Sequence, residues 1–155
     1  MRIAVIVSRF NDGITEGLLA GAREALSEAG VADEAVRVVR VPGAFELPLT
    51  AMRLAGSGEV DAVVALGCLI KGDTMHFEYI AEATSRGLMD VSLATGVPVA
   101  FGVLTTLTEE QAVVRSQPGA ENKGREAAQA AVEMVQTLAA LPDVPHVHVD
   151  EDDEQ

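Results

Sequence analysis

Apolar residues fall along this chain in two alternating rhythms. Nearly continuous, valine-rich runs recur at Arg2–Val7, Ala35–Val41, Asp61–Leu66 and Val97–Leu104. Such runs suit strands buried on both faces. Between them the apolar positions space out to helical intervals. Ile14, Leu18, Ala22, Leu26 and Ala29 mark one helical face, and Ala127, Ala131, Val135 and Leu138 mark another. Asp12 is a candidate cap for the first of these helices and Gly30 a stop signal. Helices are also predicted over Glu46–Ala55, with Pro48 in its first turn, over Thr74–Ala94, and over a short segment from Thr108, as its cap, to Arg115. The last helix runs from Lys123 to Ala140, after a turn-rich break from Gln117 to Asn122.

Strands each followed by a helix imply a parallel sheet covered on both sides. The predicted fold is α/β: a flavodoxin-like three-layer α/β/α sandwich around a four-stranded parallel sheet. In such folds ligands bind beyond the carboxyl ends of the strands. The segments falling there are Ser8 to Asn11, Pro42 to Glu46, Gly67 to His76, and Thr105 onward.

Composition narrows the picture. At 155 residues and 48% hydrophobic, the chain can bury one core without staples. The lone cysteine, Cys68, rules out an internal disulfide framework. No signal-peptide pattern opens the chain and no apolar run is long enough for a bilayer, so a cytoplasmic protein is expected. A net charge of −13 opposes nucleic acid and anionic membranes as partners. Much of it sits in Asp150–Glu154, which reads as a solvated, disordered tail. The division is therefore a domain over 1–141 and an acidic tail over 142–155. His146 and His148 in that tail have no geometry to support a metal site.

The strand-end segments carry the candidate chemistry. Phe10 either folds back on the core or stacks on a flat ligand. Gly43-Ala44-Phe45-Glu46 is either a plain strand–helix turn or a set of ligand-facing backbone groups with a carboxylate. Lys71 to His76 opens a long helix, where backbone N–H groups can receive an anion. His76 would lie in its first turn, where it is either a surface or capping histidine, the simpler account for an isolated residue, or an imidazole that moves a proton near neutral pH. Cys68 reads as a small buried thiol more readily than as a nucleophile. Phe101 lies within a strand, where core packing is the simpler account. Arg115 and Lys123 flank one loop of an acidic chain and are either plain solvated surface bases or a pointer to an anionic ligand.

Taken together, SRFN at Ser8–Asn11, PGAFELP at Pro42–Pro48, LGCLIKGDTMHFEY at Leu66–Tyr79, PVAFGVLTTLTEEQAVVR at Pro98–Arg115 and NKGREAA at Asn122–Ala128 resemble the lumazine synthase family. The resemblance covers about Ile3 to Met134. It implies condensation of 5-amino-6-(ribitylamino)uracil with 3,4-dihydroxy-2-butanone 4-phosphate to 6,7-dimethyl-8-ribityllumazine, with phosphate and water released and no metal or organic cofactor. By that resemblance Phe10 stacks on the pyrimidine, with Asn11 beside it. Ala44, Phe45 and Glu46 hold the ribityl chain and ring, and Cys68, Leu69 and Ile70 add backbone contacts. Asp73, Thr74 and Arg115 take the phosphate, His76 transfers protons, and Phe101 and Lys123 complete the pocket. The resemblance further implies a homopentamer, alone or assembled with others, whose sites lie between subunits. Phe101, Arg115 and Lys123 would come from the adjacent chain, and riboflavin synthase is a further candidate partner. Lys71 departs from the arginine many relatives carry there. Two other readings on the same scaffold are an archaeal-type riboflavin synthase and a non-catalytic flavin-binding or shell protein.

Overall fold

The structure, a computed structural model, describes residues 1–144. Nearly all of the expected tail, with its acidic run and both of its histidines, lies outside the described residues. Four strands form one all-parallel sheet: β1 (Ile3–Ser8), β2 (Val36–Val41), β3 (Ala62–Ile70) and β4 (Val99–Thr106). Their spatial order is β2-β1-β3-β4. The chain therefore leaves β1 in one direction to β2 and returns past it to β3. This reversal opens a crevice beyond the strand ends. The helices are α1 (Asp12–Glu28), α2 (Leu47–Ala55), α3 (His76–Thr95), α4 (Glu109–Val114) and α5 (Lys123–Ala139).

The period-2 geometry of β1 explains its unbroken hydrophobicity. Ile3, Val5 and Val7 point into one core cluster with Leu18, Leu26, Ala127 and Ala131 of α1 and α5. Ala4 and Ile6 point into the other, with Leu47, Ala51 and Leu88 of α2 and α3. Both faces are covered, so Ile3 to Val7 are apolar throughout. The expected three-layer sandwich is the observed one.

Several element ends differ from the sequence reading. β3 continues to Ile70, past the expected end at Leu66, because Gly67 to Ile70 pair with Val103 to Thr106 of β4. Cys68, Leu69 and Ile70 are thus strand residues. α3 begins at His76, two residues later than expected, and β4 is shifted to Val99–Thr106. Asp12 does not cap α1: it is already the first helical residue, and its Oδ1 accepts from Gly13 N at 2.9 Å. The cap position belongs to Asn11, in the left-handed region at φ 60° and ψ 48°. Thr108 caps α4 as expected, in a reciprocal box with Gln111.

Candidate active site

Three strand ends converge on one cleft. The ladder between β1 and β2 carries on past Ser8, with Arg9 N donating to Val41 O at 2.8 Å and Phe10 N to Pro42 O at 3.1 Å. These two bonds lay Phe10 alongside the Pro42–Gly43 turn. On the other side, Asn11 Nδ2 donates to Cys68 O at 3.1 Å and ties the end of β1 to β3. From below, buried Thr84 on α3 donates its hydroxyl to Ala44 O at 3.3 Å. The turn after β2 is thereby fixed to the helix that follows β3.

The cleft these ties frame has a volume of about 610 Å³. Its wall includes Phe10, Asn11, Ala44, Phe45, Glu46, Leu69, Ile70, Thr74 and His76 among the residues singled out from the sequence. Phe10 and Phe45 are 66% and 61% exposed, so the core-packing account fails for both. An exposed aromatic beside a concave, mostly apolar surface is suited to a flat ring. Pro42, Gly43 and Gly72, from the strand-end segments, also line the cleft; Phe77 and Ile80 line it too and were not singled out. Phe77 and Ile80 are three apart on α3, one helical face, and that spacing was the available signal.

The loop from Lys71 to Met75 closes one side. Lys71 N continues the β3–β4 ladder by donating to Thr106 O at 2.9 Å. Its ammonium lies 3.4 Å from Glu78 Oε1, bridging the two ends of the loop. Lys71 therefore makes the ion pair that a bidentate arginine could also make. Thr74 Oγ1 accepts from His76 N at 3.4 Å. Asp73 is exposed on the loop but is not part of the cleft wall. Cys68 sits beneath the wall with its side chain buried. Burial, with a smaller push from Glu109, raises its thiol to about 11. It is a packing residue in the thiol state, as its sequence position suggested.

Phe101, Arg115 and Lys123 are elsewhere. They line a second cavity, of about 310 Å³, along the outer edge strand β4 and the start of α5. The two cavities share no lining residue. Phe101 is not core either: it is 38% exposed at that edge. Within the second cavity Arg115 Nη1 donates to Gln111 O at 2.9 Å, and Lys123 Nζ lies 3.1 Å from Glu126 Oε1. The candidate residues thus form two groups on one chain. The larger group has the aromatic wall, Thr74 and His76; the smaller has two cations and a third aromatic. Among the described residues no cluster of metal-ligating side chains occurs, and no helix is long and apolar enough to cross a membrane.

Residues 1–139 match the family model of 6,7-dimethyl-8-ribityllumazine synthase. The chain belongs to that family. A 6,7-dimethyl-8-ribityllumazine synthase 1 of Caulobacter vibrioides is 55% identical over 140 residues, covering 90% of this chain and 92% of its own. The 6,7-dimethyl-8-ribityllumazine synthase of Edwardsiella ictaluri is 56% identical over 141 residues, covering 90% of each. Membership of this family is consistent with the cleft at the strand switch point, which is the feature a ring-forming enzyme on this fold would use.

Proposed function

We propose that the chain is the transferase that forms 6,7-dimethyl-8-ribityllumazine in riboflavin biosynthesis, from 5-amino-6-(ribitylamino)uracil and 3,4-dihydroxy-2-butanone 4-phosphate. The observation that carries this reading is the single cleft walled by Phe10, Thr74 and His76 in a chain of this family. The archaeal-type riboflavin synthase and the non-catalytic shell protein are disfavoured, since both relatives named above are lumazine synthases.

The chemistry needs little beyond placement and proton transfer. The 5-amino group attacks the ketone and loses one water to give an imine. A proton is lost from the hydroxyl-bearing carbon next to the imine, phosphate is expelled from the carbon beyond it, and the resulting enol returns to a ketone. The ribitylamino nitrogen closes the ring on that ketone and a second water departs. Atoms balance with no external oxidant or metal. Phe10 stacks on the pyrimidine, and Asn11 stands beside it. Ala44, Phe45 and Glu46 line the ribityl side, and the Cys68–Ile70 backbone borders the ring. Asp73 and Thr74 take the phosphate with Arg115, whose guanidinium gives a charge-assisted grip. His76 moves the protons. Holding two substrates in register supplies a large part of the acceleration.

The second cavity bears on assembly. Phe101, Arg115 and Lys123 complete the cleft of a neighbouring copy in a homo-oligomer, a pentamer or an assembly of pentamers. Two disjoint cavities on one chain support this reading, as does their complementary chemistry. The setting is cytoplasmic, and riboflavin synthase, which consumes the product, is a candidate partner.

Purified protein given both substrates should raise lumazine fluorescence above the uncatalysed rate, with loss of the signal when the butanone phosphate is omitted. His76→Ala should lower kcat by at most about two to four orders of magnitude. Arg115→Ala should mainly raise KM for the phosphate substrate. If sites are shared, unfolding and refolding His76→Ala and Arg115→Ala together should restore part of the lost turnover. A folded wild-type protein without acceleration would refute the enzyme reading; no rescue on mixing would refute the shared site.

A further inference from the structure

Asn122 is the most heavily engaged polar side chain in the described residues, and no chemistry above uses it. It is 1% exposed. Its Nδ2 donates to Gly17 O at 3.1 Å, Ser116 O at 3.1 Å and Gln117 O at 3.0 Å. An amide has two hydrogens, so one of them is shared between two carbonyls. Its Oδ1 accepts from Arg125 N at 3.0 Å, capping α5. Capping needs only the oxygen. The nitrogen is occupied with something else: it gathers α1 and the first two residues of the loop that leaves Arg115.

The loop is closed at both ends by the residues of the second cavity. Lys123 N donates to Arg115 O at 2.9 Å, across the base of the 116–122 excursion. Asn122 N donates to Gly119 O at 3.2 Å inside it. Arg115 and Lys123 are thus joined by one backbone bond whose flanks Asn122 holds from within. The place for Asn122 is a notch on α1. Gly17 and Gly21 are one turn apart on its surface, and neither could carry a side chain. A Cβ at Gly17 would stand 2.5 Å from Ser116 O, and one at Gly21 would fall on the Asn122 amide itself.

Resting on the function proposed above, we infer that Asn122, seated in the Gly17–Gly21 notch, is a positioning residue that sets Arg115 and Lys123 for the phosphate substrate. It touches no reacting atom. Losing its nitrogen frees the start of the loop and moves both cations away from where the phosphate sits. The effect is therefore on the phosphate substrate and not on the pyrimidine.

Two variants test this by independent routes. Asn122→Ser keeps an oxygen that can cap α5 and removes the donations to the three carbonyls. Gly21→Ala leaves Asn122 in the sequence, raises helix propensity in α1, and displaces the amide by its methyl group. Steady-state turnover is measured for wild type and both variants with each substrate varied in turn, after circular dichroism and size-exclusion profiles are matched. Both variants should raise KM for the butanone phosphate by about tenfold, the equivalent of one lost polar contact. KM for the pyrimidine should stay within about twofold. A merely structural role would lower the melting temperature and the active fraction, scaling kcat alone. Folded variants with wild-type KM for the phosphate substrate, or with both KM values raised alike, would overturn the inference. A wild type that turns nothing over would overturn the function reading and this inference with it.

Discussion

Asn11 offers a test in which a sign, not only a size, is at stake. Its backbone is left-handed, at φ 60° and ψ 48°, the one non-glycine residue with positive φ among those described. Its side chain does not cap α1; it donates to Cys68 O. Asn11→Gly removes that bond and keeps a residue at ease in this conformation. The loss is about 1 kcal/mol for the hydrogen bond, with about 0.5–1 kcal/mol more for the added freedom of the unfolded chain. Asn11→Ala removes the same bond and adds a Cβ clash of about 1–2 kcal/mol in the left-handed region. Alanine should therefore be the worse replacement by roughly 0.5–1 kcal/mol, the difference of those two backbone effects. Inside an ordinary helix the order is reversed, with glycine worse by about 1 kcal/mol. Urea unfolding at one fixed protein concentration reads the order directly. Alanine equal to or more stable than glycine would refute the backbone argument, and glycine equal to wild type would refute the tie to Cys68. Because Phe10 precedes this turn, both variants should also raise KM for the pyrimidine substrate more than for the phosphate.

Three further outcomes follow from packing and charge. The Cys68 thiol is pushed up to about 11 by burial, so the folded chain holds this proton where the unfolded chain releases it. Stability should fall as pH rises from 9 towards 11, by about 2–3 kcal/mol attributable to this group, and Cys68→Ala should flatten that slope in urea titrations; an identical slope would refute the assignment. Glu28 is held below the usual carboxylate range by its hydrogen bonds to Arg125. Its contribution is present above the unfolded value and lost as pH falls through the folded one. The difference in urea midpoint between wild type and Arg125→Met should accordingly be larger at pH 7 than at pH 3, and a constant difference would show that only packing was lost. Gly124 lets α5 lie directly on α1, where a Cβ would stand 2.6 Å from the Leu18 carbonyl carbon. Gly124→Ala should lower stability by about 1–3 kcal/mol or more despite better helix propensity, and an unchanged melting temperature would mean the two helices can part freely.

The sheet was legible because its signal is redundant. Four apolar runs of similar length, each followed by a helical period, leave few arrangements, and the burial of β1 on alternate faces by two helix pairs is what those runs encode. Strand ends were less legible because they are decided by a neighbour. Nothing within Gly67–Ile70 distinguishes loop from strand; the residues opposite them in β4 do. Asp12 was a fair cap by type, yet the chain places the turn one residue earlier and uses Asn11 for its tolerance of positive φ.

The site shows the same division between what a segment says and what its surroundings decide. Each strand-end motif fell where ligands bind in this fold, with a core or plain-turn account left open, and three of them do meet in one cleft. That Arg115 and Lys123 stand in a different cavity could not be read from local pattern, because it depends on β4 being the sheet edge. Asn122 was hidden for a related reason. In sequence it is the last residue of a polar turn, a position where solvated asparagines are common. Its role depends on Gly17 and Gly21, more than a hundred residues away, leaving room for one amide on α1. A glycine pair one turn apart inside an otherwise good helix costs stability in isolation. Its presence here is explained once the space it leaves is seen to be filled by a buried, fully bonded side chain.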